Sequence, residues 1–174
     1  MDRVYIGIDP GEKGFITVMS DNSMVFFSIK DNDFYRIDDF LKEMKELHPN
    51  MVCIMEEVHA IFGSAAKSTF TFGEINGLLK GLLIANKIPY HLVQPKKWQS
   101  EIWDSKDMVV NYKTVFIKGN ETKRKEVNTK QTSLNAASRL FPWVDFRKTE
   151  RCKNPDDNKV DSILLAEYGR RKNL

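Results

Sequence analysis

The sequence predicts an α/β domain in which helices flank a five-stranded mixed sheet. Three observations carry that expectation. Three strand patterns open the chain with only short turns between them, as in an antiparallel meander. A helical period then precedes the fourth strand, so that strand returns parallel beside the first. A second helix separates the fourth strand from the fifth, and helices dominate thereafter.

The first strand, Val4-Tyr5-Ile6-Gly7-Ile8, is rich in β-branched and aromatic residues and ends on Asp9, after which Pro10-Gly11 turns the chain. Phe15–Met19 and Met24–Ile29 are the second and third strands, joined at Asp21-Asn22. Over residues 33–47, Phe34, Ile37, Phe40, Leu41, Met44 and Leu47 recur at three and four, which is an amphipathic helix capped by Asp31 or Asn32. Met51–Met55 is apolar throughout, like a strand covered on both faces, and it leads into Glu56 and Glu57. A loop from Val58 to Lys67 holds His59 and Phe62.

A helix over 68–87 follows, with Phe72, Ile75, Leu78, Leu79, Leu82 and Leu83 on one side and Gly73, Gly77 and Gly81 along another. Each glycine costs about 1 kcal/mol of helix propensity against alanine, so the stripe implies a close helix contact. Tyr90–Val93 is the fifth strand, and Gln94–Trp98 enters a short helical turn. Residues 102–126 read as an insertion: Val109–Tyr112 and Thr114–Ile117 form a hairpin, then comes a charged run, Glu121–Glu126. Asn128 or Thr129 caps a helix that Pro142 stops, and Asp156 or Asp157 caps the last helix, with Val160, Ile163, Leu164 and Tyr168 on its buried side. Trp98, Trp103 and Trp143 read as packing residues.

With 174 residues, 41% hydrophobic and 29% charged, the chain fits a single domain. No apolar run reaches the ~18 residues of a membrane helix, so no membrane partner is expected. Cys53 and Cys152 make neither a disulfide framework nor a zinc site, which suits a reducing cytoplasm. The net charge of +3 is unevenly spread: residues 1–90 carry 9 Lys/Arg against 13 Asp/Glu, and residues 91–174 carry 18 against 11. A metal held by the acids and a polyanion held by the bases would account for both.

The acids converge in the expected topology. The first and fourth strands are neighbours, and both end in carboxylates, at Asp9 and at Glu56 or Glu57. Because strand residues alternate, only one of that pair shares a face with Asp9. In the last helix Asp157 and Asp161 are four apart and stack on one face. Gathering such charges without a cation is costly. Oxygen-only ligands select Mg²⁺ or Mn²⁺. Two such ions ~4 Å apart run in-line phosphodiester hydrolysis, one activating water and the other stabilising the leaving 3′ oxygen.

Ile8-Asp9-Pro10-Gly11-x-x-Gly14, Met55-Glu56-Glu57-Val58-His59-Ala60 and Asp157–Arg171 resemble the three acidic motifs of the RuvC-type Holliday junction resolvases, phage-borne members above all. The resemblance covers about residues 3–101 and 127–171. It implies a ribonuclease H-like fold, a homodimer, and Mg²⁺-dependent paired nicking of four-way DNA junctions. It assigns Asp9, Glu56 and Asp161 as catalytic metal ligands. Asp157 joins them by the spacing of phage relatives, whereas other members place the partner group where this chain has Asn158. Lys130 matches a basic residue near the scissile phosphate, and the glycine-striped helix matches the dimer interface. His59 and Phe62 fall in the segment that probes the junction centre, and Lys67 closes it. Lys96, Lys97, Lys123, Arg124 and Lys125 are the phosphate-contact candidates.

Other readings are a related nuclease acting on other branched DNA or RNA–DNA hybrids, and a junction-binding module without catalysis. An actin-like kinase is excluded by length and by the lack of a second phosphate loop.

Overall fold

The structure, a computed structural model, describes residues 3–21, 23–57, 65–117 and 120–174. Strands β1 (Val4–Ile8), β2 (Phe15–Met19) and β3 (Met24–Ser28) form the meander, and α1 (Phe34–Leu47) crosses to β4 (Met51–Glu56). Helix α2 (Ala66–Ala85) then crosses to β5 (Tyr90–Val93), giving the sheet order β3-β2-β1-β4-β5 with β1, β4 and β5 parallel. Helix α3 (Pro95–Ile102), a two-stranded ribbon of β6 (Val110–Ile117) and β7 (Asn120–Val127), and helices α4 (Thr129–Leu140) and α5 (Asp157–Lys172) complete the chain.

Side-chain alternation divides the core into two layers. Ile6 and Ile8 of β1 and Cys53 and Met55 of β4 pack with Ile37, Leu41, Leu79 and Leu83 of α1 and α2. Tyr5 of β1 and Val52 and Ile54 of β4 face the other way, onto Trp98, Ala136, Ile163 and Leu164 of α3, α4 and α5. Asp9 and Glu56 continue the second series, so the pleat itself aims both carboxylates at the α5 side. The pairing of Ile8 with Met55 sets them at the same level.

Helix α5 lies against the middle of the sheet because the contact residues are small. Ser162 bonds Thr17 of β2 at 2.6 Å in the buried layer. A methyl group on Gly7 would collide with the Ser162 carbonyl oxygen and the Ala166 amide. Backbone cannot yield as a side-chain tip does, so Gly7→Ala is expected to cost at least ~3 kcal/mol. A urea melt would show this as a large drop in midpoint or as loss of soluble protein.

Several local expectations are corrected. Asp33, rather than Asp31 or Asn32, caps α1, accepting from the Arg36 amide at 2.9 Å. Asp31 is paired with Lys148, and Asn32 donates to the Ser28 carbonyl. Helix α2 runs two residues earlier than the 68–87 span, since Lys87 takes a left-handed φ of 53° that ends it. Leu78 is exposed, so only part of the expected apolar side is buried.

The hairpin expected within 109–117 is one continuous strand, paired with the charged run as its partner strand. Helix α5 is buried from Ser162 to Gly169 on every side, because α3 and α4 cover what the sheet does not. Trp98 is fully buried, as expected of a packing residue, whereas Trp143 is exposed. No described helix is long and apolar enough to cross a membrane.

Candidate active site

Three elements, β1, β4 and α5, gather acids at the C-terminal ends of β1 and β4. Asp9 follows β1 directly, and its amide donates to the Phe15 carbonyl at 3.1 Å, closing the turn into β2. Glu56 ends β4, and the Trp98 indole Nε1 donates to its Oε1 at 2.9 Å. Asp161 sits in the second turn of α5 and accepts a hydrogen bond from the Ser133 hydroxyl of α4. Asp157, in the first turn, is 2.7 Å from the Lys130 ammonium. Asp156 caps the helix by accepting from the Asn158 and Lys159 amides.

The electrostatics are those of acids short of compensation. Burial pushes the Asp9 carboxyl well above the usual range, and the charges of Asp161, Glu56 and Asp156 add to it. Asp161 is pushed up to about 7, by burial first and then by Glu56 and Asp157, against the opposing Ser133 hydrogen bond and Lys130. Burial also raises Glu56, with the Trp98 hydrogen bond opposing. Lys130 is held above the ordinary lysine range by its bond to Asp157. That pair is largely solvent-exposed and contributes roughly 0–1 kcal/mol, so its lysine is available to another anion.

The donor set fits a hard divalent cation: carboxylate oxygens, with charge that the protein leaves unneutralised. Among the described residues, however, no three such side chains already converge at coordination distance. The acids are near enough to raise one another's carboxyls, and side-chain rotations would bring their oxygens to a common ion.

The structure thus brings Asp9, Glu56, Asp157, Asp161 and Lys130 together. Asn158 turns to the cap, donating its side-chain amide to Asp156. Lys96 and Lys97 are exposed on the first turn of α3, beside Trp98, and Lys67 is exposed on the first turn of α2. Lys123, Arg124 and Lys125 lie on β7, outside the elements that carry the acids. His59 and Phe62 lie outside the described residues.

Two contributors escaped the sequence reading. Ser133 stands one helical turn beyond Lys130 on the same face, a spacing that could have flagged it. Trp98 was legible only as a packing residue, because its partner is 42 positions away.

The sheet order, the flanking helices and the acids at the strand ends define a ribonuclease H-like α/β fold. Two solved structures share it along nearly their whole length. Thermus thermophilus RuvC in complex with a Holliday junction substrate is 10% identical, with a TM-score of 0.59 over 97% of this chain and 96% of that one. Another Thermus thermophilus RuvC structure is 12% identical, with a TM-score of 0.53 over 98% and 96%. At such identities the likeness is one of fold. No protein-family model and no curated protein matches the chain by sequence.

Proposed function

We propose that the protein is a metal-dependent endonuclease that resolves four-way DNA junctions by paired symmetric nicks, as a phage-like relative of the RuvC resolvases. The observation that carries this reading is the gathering of Asp9, Glu56 and Asp161: burial holds all three above the ordinary carboxylate range, and neighbouring acids push Asp9 and Asp161 further. A structural role would not gather three partly buried acids with one exposed lysine beside them. Asp9, Glu56, Asp157 and Asp161 would hold Mg²⁺, with Mn²⁺ as a substitute and two ions per site. Bound there, the ions would supply an activated water and a Lewis acid for the leaving oxygen. Trp98 and Ser133 fix the orientation of Glu56 and Asp161. Lys130 can leave Asp157 for a phosphate oxygen at little cost.

Two nicks on opposite strands call for a two-fold symmetric pair of sites. The exposed side of α2 supports a homodimer. Phe70 and Ile84 stand in solvent there, and a methyl group on Gly73, Gly77 or Gly81 would meet nothing within 4 Å. Among the described residues nothing covers the glycine stripe, and a partner's helix could approach it closely.

The test is incubation with a synthetic four-way junction, a linear duplex and an RNA–DNA hybrid, with and without Mg²⁺. Paired nicks in the junction only, dependent on metal, are the expected result, together with a dimer mass in solution. Cleavage without metal, or none of the junction, would overturn the reading.

A further inference from the structure

We propose that the β6–β7 ribbon is an arm for double-stranded nucleic acid, whose cations take phosphates on both walls of a major groove. The inference rests on the nuclease reading for its substrate class, while its observations lie outside the acid site.

The two strands of the ribbon pack chiefly on each other, and no described helix or strand packs extensively against them. The root is clamped. The Asn128 amide donates to the Val109 carbonyl at 2.8 Å, and the Val109 amide donates to the Thr132 hydroxyl at 3.1 Å. Below it Asp107, 2% exposed, is gripped by Arg139 through Nε at 2.9 Å and Nη2 at 2.6 Å. Arg139 also donates to the Ile102 carbonyl, and Asn135 to the Asp107 carbonyl. A buried ion pair adds little net stability, but it fixes geometry. Thr132, Asn135 and Arg139 all belong to α4, which also carries Lys130 to Asp157 and Ser133 to Asp161. One helix therefore sets the direction of the arm relative to the acids.

The charge pattern identifies the partner. Lys113, Lys123, Arg124 and Lys125 are exposed, and no described carboxylate pairs with them. Lys113 lies directly opposite Arg124, a like-charge pairing that weakens a two-stranded sheet. Glu121 and Glu126 lie opposite Phe116 and Asn111 rather than opposite these cations, so each face keeps two cations to one acid, more than edge protection needs. An external polyanion accounts for it. Directly opposed residues share a face, so Lys113 and Arg124 lie on one face of the ribbon. Lys123 and Lys125, the latter opposite the exposed Tyr112, lie on the other.

A membrane or an acidic protein surface would meet cations on one face. A groove walled by phosphates on both sides meets cations on two. The major groove, about 12 Å wide, admits a two-stranded ribbon, and eight-residue strands reach about 26 Å along it.

The experiment compares wild type with the combined Lys113→Ala, Lys123→Ala, Arg124→Ala, Lys125→Ala variant. Anisotropy is measured in EDTA on a linear DNA duplex of roughly 20 base pairs and on a four-way junction, from about 50 to about 200 mM salt. The variant is expected to fold at least as stably, since repulsion is removed. Its log–log salt slope should fall by about 3.6 on both probes, at roughly 0.9 for each of the lost phosphate contacts, with affinity down at least ~10-fold. Replacing the three lysines by arginine should restore both.

An unchanged slope, or lost binding confined to anionic phospholipid vesicles with duplex binding intact, would overturn the arm. If wild type fails to cut junctions while the slope still falls, the arm stands and the nuclease reading falls. If junctions are cut and the slope is unchanged, the arm alone falls.

Discussion

Asp161→Asn is expected to raise the melting temperature of the metal-free protein while reducing junction cleavage by at least about 10³-fold. Both effects come from one carboxylate. Asn keeps the shape and can still accept the Ser133 hydroxyl, so the packing of α5 is untouched. It removes a charge that burial, Glu56 and Asp157 all oppose, and it relieves Asp9, which Asp161 also repels. A gain of roughly 1–2 kcal/mol would move the midpoint by roughly 2–8 °C in a chain of this length. The loss of cleavage follows because a metal ligand stabilises the transition state by several kcal/mol, at about 1.4 kcal/mol per tenfold in rate. Differential scanning fluorimetry in EDTA and a gel-based cleavage assay in Mg²⁺ check the two halves. Such an opposition of stability and activity marks a functional site rather than a structural one.

The pH dependence of stability should run opposite to that of ordinary salt-bridged carboxylates. Burial pushes the Asp161 carboxyl up to about 7 in the folded chain, against 3.8 for an ordinary aspartate. Between those values the folded state holds a proton that the unfolded state has lost, so stability falls as pH rises through the window and levels off above it. Asp9 and Glu56 are raised as well and act in the same sense. The size is on the order of 2–4 kcal/mol for Asp161 alone. Asp31 and Asp107 are lowered by Lys148 and Arg139, so their stabilisation is lost only at pH values below this window. Chemical denaturation of metal-free protein from pH 5 to pH 8 should therefore show a declining midpoint. The decline should be flattened in Asp161→Asn and reversed by millimolar Mg²⁺, which stabilises whatever state it binds. A midpoint that rises steadily to pH 8 without metal would contradict the charge arrangement.

Much of this arrangement could be read from residue patterns alone. The adjacency of the strands ending in Asp9 and Glu56 follows from one crossover helix, and the stacking of Asp157 on Asp161 follows from helical spacing. Alternation alone left Glu56 and Glu57 open and the resemblance chose Glu56; the register gives the physical reason, since Val52, Ile54 and Glu56 share the α5 side. Partners distant in sequence stayed hidden, as with Trp98 and Glu56 or Ser133 and Asp161.

The ribbon was misdivided for a physical reason. Residues 121–126 are exposed and charged on both faces, so they lack the period-two apolar signal that marks a half-buried strand. Helix α5 misled in the opposite sense. Its small residues Ser162, Ala166 and Gly169 are core positions that carry little hydrophobicity, so a helix buried all round looked amphipathic.

The central claim is that Asp9, Glu56 and Asp161 form a divalent-cation site, and titration calorimetry with Mn²⁺ or Mg²⁺ tests it most directly. Wild type should bind at neutral pH, with affinity falling as the acids protonate below about pH 7. Asp9→Asn, Glu56→Gln and Asp161→Asn should each weaken binding sharply while remaining folded. Binding unchanged by all three substitutions, or no binding by wild type, would contradict the account.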